Sequence, residues 1–259
     1  MAQVTAVELR SVNKQFPDMG YKALDEVNLA IEEGEFVTIL GSSGCGKTTL
    51  IKTVNRIYEP DSGEVFLFGK NVLSEDPVQL RRRIGYVIQQ IGLFPHMTVR
   101  DNIATIPQIL KWDKARIDDE VDRMLSLVRL DPEEFRGRYP AQLSGGQQQR
   151  IGLARALICD PKVMLLDEPF GAIDAINREK LQRELKGIHS ESKKTYLFVT
   201  HDIQEAFRLG TKVVIMNRGR ILQYAPPEEI LSHPADSFVE ELVHTADAVQ
   251  DYVEGGEGI

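Results

Sequence analysis

The chain has 259 residues, with 31 Lys or Arg against 39 Asp or Glu, so its formal net charge is −8 at pH 7. This length allows one large domain or two small ones, and the acidic balance gives no electrostatic case for nucleic-acid binding. Cys45 and Cys159 are too few for a disulfide framework and favour a reducing cytosol. Residues 1–10 lack the apolar core of a signal peptide. The sequence also contains no run of about 18 consecutive apolar residues, which is the length needed to cross a bilayer.

The first predicted elements are short strands at residues 4–9 and 27–31 and an apolar strand at residues 36–40. Directly after the third strand comes GSSGCGKT, residues 41–48, and then a segment with helical potential, residues 49–54. This is the G-x-x-x-x-G-K-[ST] pattern in the strand–loop–helix setting that it requires. It predicts a phosphate-binding loop, because the glycines let successive backbone N–H groups point at phosphate oxygens.

Within this loop, the Lys47 ammonium is predicted to bind the β- and γ-phosphates, and the Thr48 hydroxyl to ligate Mg²⁺. The remaining residues predicted to surround the nucleotide are Gly41, Ser42, Ser43, Gly44, Cys45, Gly46 and Thr49. Cys45 lies among the inward-pointing N–H groups and near Lys47, and both favour a thiolate. We therefore expect a lowered thiol pKa and fast maleimide labelling that bound nucleotide prevents, with Cys159 reacting more slowly.

A further strand is predicted at residues 64–68, and residues 115–130 carry apolar side chains at helical spacing. LSGGQQQR follows, with Ser144 placed as the N-cap of another helix. Gly145 and Gly146 leave backbone N–H groups uncovered at that helix start, which makes it a second anion site. Two anion sites for one nucleotide indicate that the second site serves another copy of the chain.

Residues 163–166 form an uninterrupted apolar run that suits a strand buried on both faces. Ligands bind at the carboxyl ends of such strands, so Asp167 is predicted to hold Mg²⁺ and Glu168 to polarise an attacking water. A strand-like run at residues 196–200 precedes His201, whose imidazole is predicted to contact the γ-phosphate. Near the end of the sequence, a short helix is expected at residues 226–231 and an acidic, Gly-rich, disordered tail at residues 246–259.

Taken together, GSSGCGKTT, Gln89, LSGGQ, LLDEP, residues 171–174 and His201 resemble the ATP-binding subunit of ATP-binding cassette (ABC) transporters. The resemblance covers nearly the whole chain, from about residue 5 to about residue 245. It implies an α/β fold with a P-loop NTPase (RecA-like) core, an antiparallel β layer and a helical signature subdomain at about residues 92–157. It also implies one nucleotide-binding domain at residues 1–245, with ATP and Mg²⁺ as cofactors of an ATPase.

The same resemblance assigns roles that no spacing could supply. Gln89 is implied to bind Mg²⁺ and the lytic water and to signal toward a membrane domain. Ser144, Gly145, Gly146 and Gln147 become the signature loop that closes on the ATP of a partner subunit, and Asp174 belongs to a loop that crosses the dimer interface. Phe16 is best aligned with the aromatic residue that stacks on adenine, with Tyr21 as the alternative.

Residues 80–112 are similar to ATPases of importers for quaternary-ammonium osmoprotectants: glycine betaine, choline, carnitine and proline betaine. Importers of amino acids, polyamines or sulfonates share the motifs and remain alternatives, as do a soluble non-transport ABC ATPase and, more remotely, a kinase. The implied partners are a second copy of the chain, transmembrane permease subunits and, indirectly, an extracellular solute-binding protein. The expected location is peripheral, at the cytoplasmic face of the cell membrane. Many relatives continue into nucleotide-sensing CBS modules, and regulation by that route is not expected here.

Overall fold

The computed structural model describes residues 4–17, 20–89, 92–171, 173 and 175–244. The chain forms two compact units, of which the first comprises the sequence up to Ser74 and again from Leu197, and the second is Glu75–Tyr196. In the ranges described, every helix is too short or too polar to span a bilayer. The acidic tail expected at residues 246–259 lies outside the described residues.

The first unit is rich in strands, and its described residues contain three short α-helices with defined bounds. Its strands are β1 (Thr5–Gln15), β2 (Lys22–Glu32), β3 (Phe36–Gly41), β4 (Ser62–Leu67), β5 (Lys70–Asn71), β9 (Lys212–Asn217) and β10 (Arg220–Ala225). Its helices are α1 (Lys47–Val54), α8 (Ile203–Leu209) and α9 (Pro227–Ser232), and residues 237–244 are also helical. Strand β8 (Thr195–Val199) contains the boundary between the two units.

An antiparallel sheet in the first unit has the strand order β2-β1-β4-β5. Val27, Leu29 and Ile31 of β2 are buried and alternate with more exposed positions, as expected for a sheet with one face on the core. The strands predicted at residues 4–9, 27–31 and 64–68 are therefore confirmed, although β1 and β2 are longer than predicted.

Strand β3 is buried along its entire length and pairs in parallel with β9, with Ile39 opposite Val214. Strand β10 pairs with β9 in the antiparallel direction. Leu40 and Ile215 pack with α8 and the helices that follow β10, and this apolar cluster includes Ile230 and Val239. The packing fixes the end of β3, where the predicted phosphate loop begins.

The second unit is mainly helical. Its helices are α2 (Pro77–Arg82), α3 (Val99–Ile109), α4 (Lys114–Leu127), α5 (Pro132–Phe135), α6 (Gly145–Leu157) and α7 (Ala175–Ser192). Strands β6 (Ile84–Val87) and β7 (Val163–Asp167) pair in parallel, with Val87 opposite Leu166. The helix predicted at residues 115–130 and the helix capped by Ser144 are both confirmed. Helix α7 was not predicted, although Leu181, Leu185 and Ile188 follow helical spacing.

Candidate nucleotide site

The loop GSSGCGKT connects β3 to α1, as predicted from the sequence. β3 ends at Gly41 and α1 begins at Lys47. Gly46 has a φ of 110°, and a Cβ at this position would lie 2.2 Å from the Ala23 carbonyl oxygen. Only glycine fits at this helix entrance, and the first backbone N–H groups of α1 remain available to an anion.

Lys47 is buried within the loop, with 6% of its surface exposed. Its Nζ donates hydrogen bonds to the Gly41 carbonyl oxygen at 2.7 Å and to the Ser42 carbonyl oxygen at 3.0 Å. Backbone carbonyl groups of the phosphate loop thus hold the Lys47 ammonium group in place. Carbonyl oxygens carry only partial charge, so the ammonium keeps a strong attraction for phosphate oxygens.

Cys45 corrects one expectation from the sequence. Its side chain is 3% exposed, and its Sγ lies 3.9 Å from Lys47 Nζ. Burial raises the thiol pKa, and this effect outweighs the opposing influence of Lys47 and the neighbouring backbone N–H groups. The prediction of a lowered pKa is therefore wrong, because a thiolate at this position would lose its solvation. The sequence shows the nearby cation but not the depth of burial.

A cavity of about 740 Å³ adjoins the phosphate loop within the first unit. It is lined by basic side chains, one carboxylate and the outer part of the loop: Tyr21, Lys22, Asp25, Ser42, Ser43, Gly44, Cys45, Arg218 and Arg220. Asp25 accepts hydrogen bonds from Lys22 at 2.7 Å and from Arg220 at 2.6 Å. Three cations against one anion give the cavity a positive potential, which attracts a polyphosphate.

The two aromatic candidates for adenine stacking lie in different surroundings. Tyr21 is 53% exposed and belongs to the cavity wall. Phe16 is half-buried and packs edge-to-face against Tyr58, with the ring centroids 5.0 Å apart. The Lys14 ammonium lies 5.6 Å from the Phe16 ring centroid. Phe16 is therefore held in one orientation by its neighbours, whereas Tyr21 projects beside the loop.

His201 follows β8 and is exposed, next to two anchored neighbours. The Thr200 backbone N–H donates to the Ile39 carbonyl oxygen at 3.1 Å, and its hydroxyl donates to the buried Glu205 carboxylate. The same hydroxyl accepts a hydrogen bond from the Asp202 N–H at 3.0 Å. These bonds fix the backbone on both sides of His201. These bonds were not predicted from the sequence, although Asp202 followed three residues later by Glu205 is a capping pattern.

Gln89 and Glu168, in the second unit, lie in direct contact. Gln89 Nε2 donates a hydrogen bond of 2.9 Å to Glu168 Oε2. The parallel pairing of β6 with β7 explains the contact, because both residues follow strands that end at the same edge. The fold thus brings together the two residues that were predicted to bind and polarise the attacking water.

The backbone turns sharply at the end of β7. Asp167 is 5% exposed, whereas Glu168 is half-exposed and has a φ of 45°. A left-handed conformation in a residue other than glycine costs about 1–3 kcal/mol and is concentrated at functional sites. Asp167 is buried and Glu168 is not, so the two carboxylates have separate environments and can have separate roles.

The LSGGQ motif opens α6 as the sequence predicts. Ser144 caps the helix: its Oγ accepts a hydrogen bond from the Gln147 N–H at 3.3 Å, and its own N–H donates to Gln147 Oε1 at 2.9 Å. Gly145 is exposed, and no heavy atom of the residues that the structure describes lies within 4 Å of where its Cβ would be. At Gly146, the one such neighbour among them is Leu181, at 3.9 Å. This helix start is therefore open to an incoming anion.

The residues proposed to hold Mg²⁺ supply oxygen atoms, which this hard cation prefers. Thr48 is half-buried in the first turn of α1, Asp167 ends β7 and Gln89 follows β6. In the described part of the chain, no group of three His, Cys, Asp or Glu side chains is placed so that it could hold a metal ion. Protein sites for Mg²⁺ usually supply one or two carboxylates, and substrate phosphates complete the coordination. Asp174 lies outside the described residues.

Comparison with known proteins agrees with this geometry. Residues 24–171 match the family model described as ABC transporter. The chain belongs to the ABC transporter family. A solved dimeric structure of the ATP-binding cassette MJ0796 in a post-hydrolysis state, bound to ADP and Pi, is similar with a TM-score of 0.76 and 35% identity. That similarity covers 85% of this chain and 98% of the cassette, so the expected α/β P-loop cassette fold is confirmed.

Two curated relatives belong to importers of chemically different solutes. The choline transport ATP-binding protein OpuBA of Bacillus subtilis (strain 168) is 50% identical over 91% of this ABC chain. The sulfate/thiosulfate import ATP-binding protein CysA of Pectobacterium atrosepticum is 46% identical over 90% of it. The chain spans about three fifths of the length of OpuBA (61%) and 70% of the length of CysA.

Proposed function

We propose that this chain is the ATP-hydrolysing subunit of an ABC importer and that it works as a homodimer. The observation that carries the proposal is the presence of two open helix N-termini, one at Lys47 of α1 and one at Ser144 of α6. Each can bind an anion, and one chain that holds one nucleotide uses only the first. The second is then available to the γ-phosphate of an ATP held by another copy. The dimeric MJ0796 cassette with ADP and Pi supports this arrangement.

The phosphate loop has the binding role in this proposal. Lys47 binds the β- and γ-phosphates, and the surrounding loop residues Gly41–Gly46, with Thr49, supply backbone and hydroxyl hydrogen bonds. The basic cavity beside Ser42 and Ser43 adds a favourable potential. Phe16 is proposed to stack on adenine, with Tyr21 as the alternative.

The chemical role belongs to residues at or just after the ends of β6, β7 and β8, together with Thr48 of α1. Thr48, Gln89 and Asp167 would hold Mg²⁺, which neutralises the charge that develops on the phosphate oxygens. Glu168 accepts the proton of the attacking water, while Gln89, already hydrogen-bonded to Glu168, orients that water. His201 donates a hydrogen bond to the γ-phosphate.

Hydrolysis is proposed to break the link between the two subunits. Ser144, Gly145, Gly146 and Gln147 of one copy bind the γ-phosphate held by the other copy, and a role for Asp174 between the two copies is proposed from the family resemblance alone. Loss of the γ-phosphate removes the anion that joins the copies. The subunits then separate, and the attached permease subunits move with them at the cytoplasmic face of the membrane.

The proposed cargo is a quaternary-ammonium osmoprotectant such as glycine betaine, choline, carnitine or proline betaine. Residues 80–112 and the likeness to OpuBA support this class. The likeness to CysA, only slightly weaker, favours an inorganic oxyanion as the second candidate. The ATPase subunit does not contact the solute. Its sequence is therefore related to the solute only indirectly, through the surface that binds the permease.

The test is the ATPase activity of the complex reconstituted with its permease and loaded solute-binding protein. Glycine betaine, choline and carnitine should each be compared with sulfate, with an amino acid and with a polyamine. We expect stimulation by at least one quaternary-ammonium solute and none by sulfate. Stimulation by sulfate, an amino acid or a polyamine alone would reject the osmoprotectant proposal, and a complex that no solute stimulates would reject the importer.

A further inference from the structure

Residues 92–98, a short segment in the second unit that follows Gln89, are fixed to the protein by one fully buried side chain. Asn102 of α3 is 0% exposed. Its Oδ1 accepts a hydrogen bond from the Phe94 N–H at 2.7 Å, and its Nδ2 donates to the carbonyl oxygens of Phe94, Met97 and Thr98 at 3.1, 3.2 and 3.0 Å. This amide therefore fixes the backbone path of the segment against α3.

A second side chain holds the same segment from α6. Arg155 Nη1 donates a hydrogen bond of 2.8 Å to the Gly92 carbonyl oxygen, and its guanidinium carbon lies 5.8 Å from the Phe94 ring centroid. Arg155 is half-buried, and burial lowers the pKa of its guanidinium. A desolvated planar guanidinium makes stronger hydrogen-bond and cation–π contacts than an exposed one.

Arg155 lies on the same helix as the signature loop. Helix α6 begins immediately after Ser144, and eleven residues at 1.5 Å each place Arg155 about 16 Å along its axis. Helix α3, which carries Asn102, packs against α6. The two side chains that hold residues 92–98 thus come from a packed helix pair, one member of which starts at the open N-terminus described above.

The outer side of the held segment remains free to meet a partner. Phe94 is 40% exposed and His96 is exposed, with their ring centroids 6.2 Å apart. The segment therefore combines an anchored backbone with exposed rings. A force on the exposed rings would act on Asn102 and Arg155 through these contacts. A displacement of α6 would likewise move Phe94 and His96 through the same contacts.

We infer that Arg155 is a positioning residue that makes residues 92–98 move as one body with α6. This inference rests on the proposed function: a pull on Ser144 from the partner's γ-phosphate would reach Phe94 through Arg155 and Asn102. The permease subunit that contacts Phe94 and His96 receives that displacement. Arg155 is proposed to act through the segment that it holds, by its contacts with Gly92 and Phe94.

The test compares Arg155→Ala and Arg155→Lys in the complex reconstituted with permease and solute-binding protein. Arg150→Ala is the matched control, because Arg150 is also an α6 guanidinium but bonds to Glu184 Oε1 at 3.2 Å and to the Arg129 carbonyl oxygen. Four quantities are measured: basal ATPase of the isolated subunit, its KM for ATP, glycine betaine-stimulated ATPase of the complex, and amide hydrogen exchange at Phe94.

For Arg155→Ala we expect basal turnover and KM to stay near wild type while solute stimulation falls about fivefold or more, within the usual range of coupling between sites. Exchange at Phe94 should become faster, and Arg155→Lys should recover part of both effects, because its ammonium can still donate to Gly92. Arg150→Ala should leave stimulation and Phe94 exchange unchanged.

The inference is overturned if Arg155→Ala keeps full stimulation, or if Arg150→Ala loses stimulation to the same degree. A wild-type complex that glycine betaine and the other solutes fail to stimulate contradicts the proposed function instead. In that case the exchange measurement on the isolated subunit still decides whether Arg155 holds the segment.

Discussion

Gln89 Nε2 lies 2.9 Å from Glu168 Oε2, and this hydrogen bond joins the chain after β6 to the end of β7. It brings together the amide proposed to orient the attacking water and the carboxylate proposed to accept its proton. One hydrogen bond of this kind holds the carboxylate in one orientation, which is a requirement for efficient general-base catalysis.

Replacing Glu168 with Gln should stop hydrolysis while preserving ATP binding. The substituted amide keeps its size and can still accept a hydrogen bond from Gln89, but it cannot take a proton. General bases contribute about 10²–10⁴-fold, so turnover should fall by at least that factor. With ATP and Mg²⁺, Glu168→Gln should elute as a stable dimer in size-exclusion chromatography.

Ser144→Arg in the Glu168→Gln background should remain monomeric, since a long side chain blocks the open start of α6. Glu191→Gln is the control for the loss of a carboxylate, because Glu191 is exposed on α7. Wild-type turnover in Glu168→Gln would show that Glu168 is not the base. A monomer with saturating ATP would instead restrict the dimer to the assembled transporter.

The aromatic residue that recognises adenine can be identified by two single substitutions. Phe16 is oriented by its edge-to-face contact with Tyr58, so its ring is preorganised for stacking. Phe16→Ala should weaken ATP binding about tenfold, as base–aromatic stacking of 1–3 kcal/mol predicts. Tyr21→Ala, in the wall of the basic cavity, should have the smaller effect in calorimetric titration. The reverse order of the two effects would assign stacking to Tyr21.

The hydrogen bonds around Thr200 should matter to turnover. Thr200→Val preserves the side-chain shape but removes the hydroxyl that joins the Glu205 carboxylate to the Asp202 N–H. The loop that carries His201 then loses these two bonds and keeps the backbone bond to Ile39, and a displacement near 1 Å can cost about 10²-fold in rate. Thr200→Ser keeps the hydroxyl and should retain most activity. A Thr200→Val enzyme with a lower Tm but wild-type kcat would show that the network stabilises without positioning His201.

Cys45 should react slowly with maleimide at neutral pH. Burial raises its pKa, so the reactive thiolate is scarce at pH 7 and labelling should accelerate as pH rises. Cys159, with a pKa raised to about 11, should also react slowly. Mass spectrometry after timed labelling distinguishes the sites, and a Cys45→Ser variant isolates the rate of Cys159. Rapid labelling of Cys45 at pH 7 would restore the view that Lys47 dominates its ionisation.

Local sequence patterns predicted the parts of the site that depend on local structure. The loop from Gly41 to Thr48 and the cap at Ser144 each depend on a few adjacent residues, so their geometry can be anticipated. The contact between Gln89 and Glu168 could not be derived in this way, because it depends on which strands are neighbours in the sheet. Parallel pairing of β6 and β7 joins residues about eighty positions apart.

The error at Cys45 has a related cause. Sequence proximity indicates that Lys47 is near, but the depth of burial is set by Gly41 and by elements distant along the chain. Desolvation and a nearby charge act in opposite directions, and only the folded structure decides which dominates. Asn102 and Arg155 gave no signal in the sequence for the same reason, since their acceptors are backbone carbonyls.

The two glycines at the start of α6 have a thermodynamic consequence for the subunit by itself. Among the described residues, none prevents a methyl group at Gly145, and in helix interiors alanine is favoured over glycine by about 1 kcal/mol. Gly145→Ala should therefore make the lone subunit slightly more resistant to heat. The two glycines lower the stability of the monomer. Binding of a ligand to the exposed backbone N–H groups of this turn is what offsets that loss.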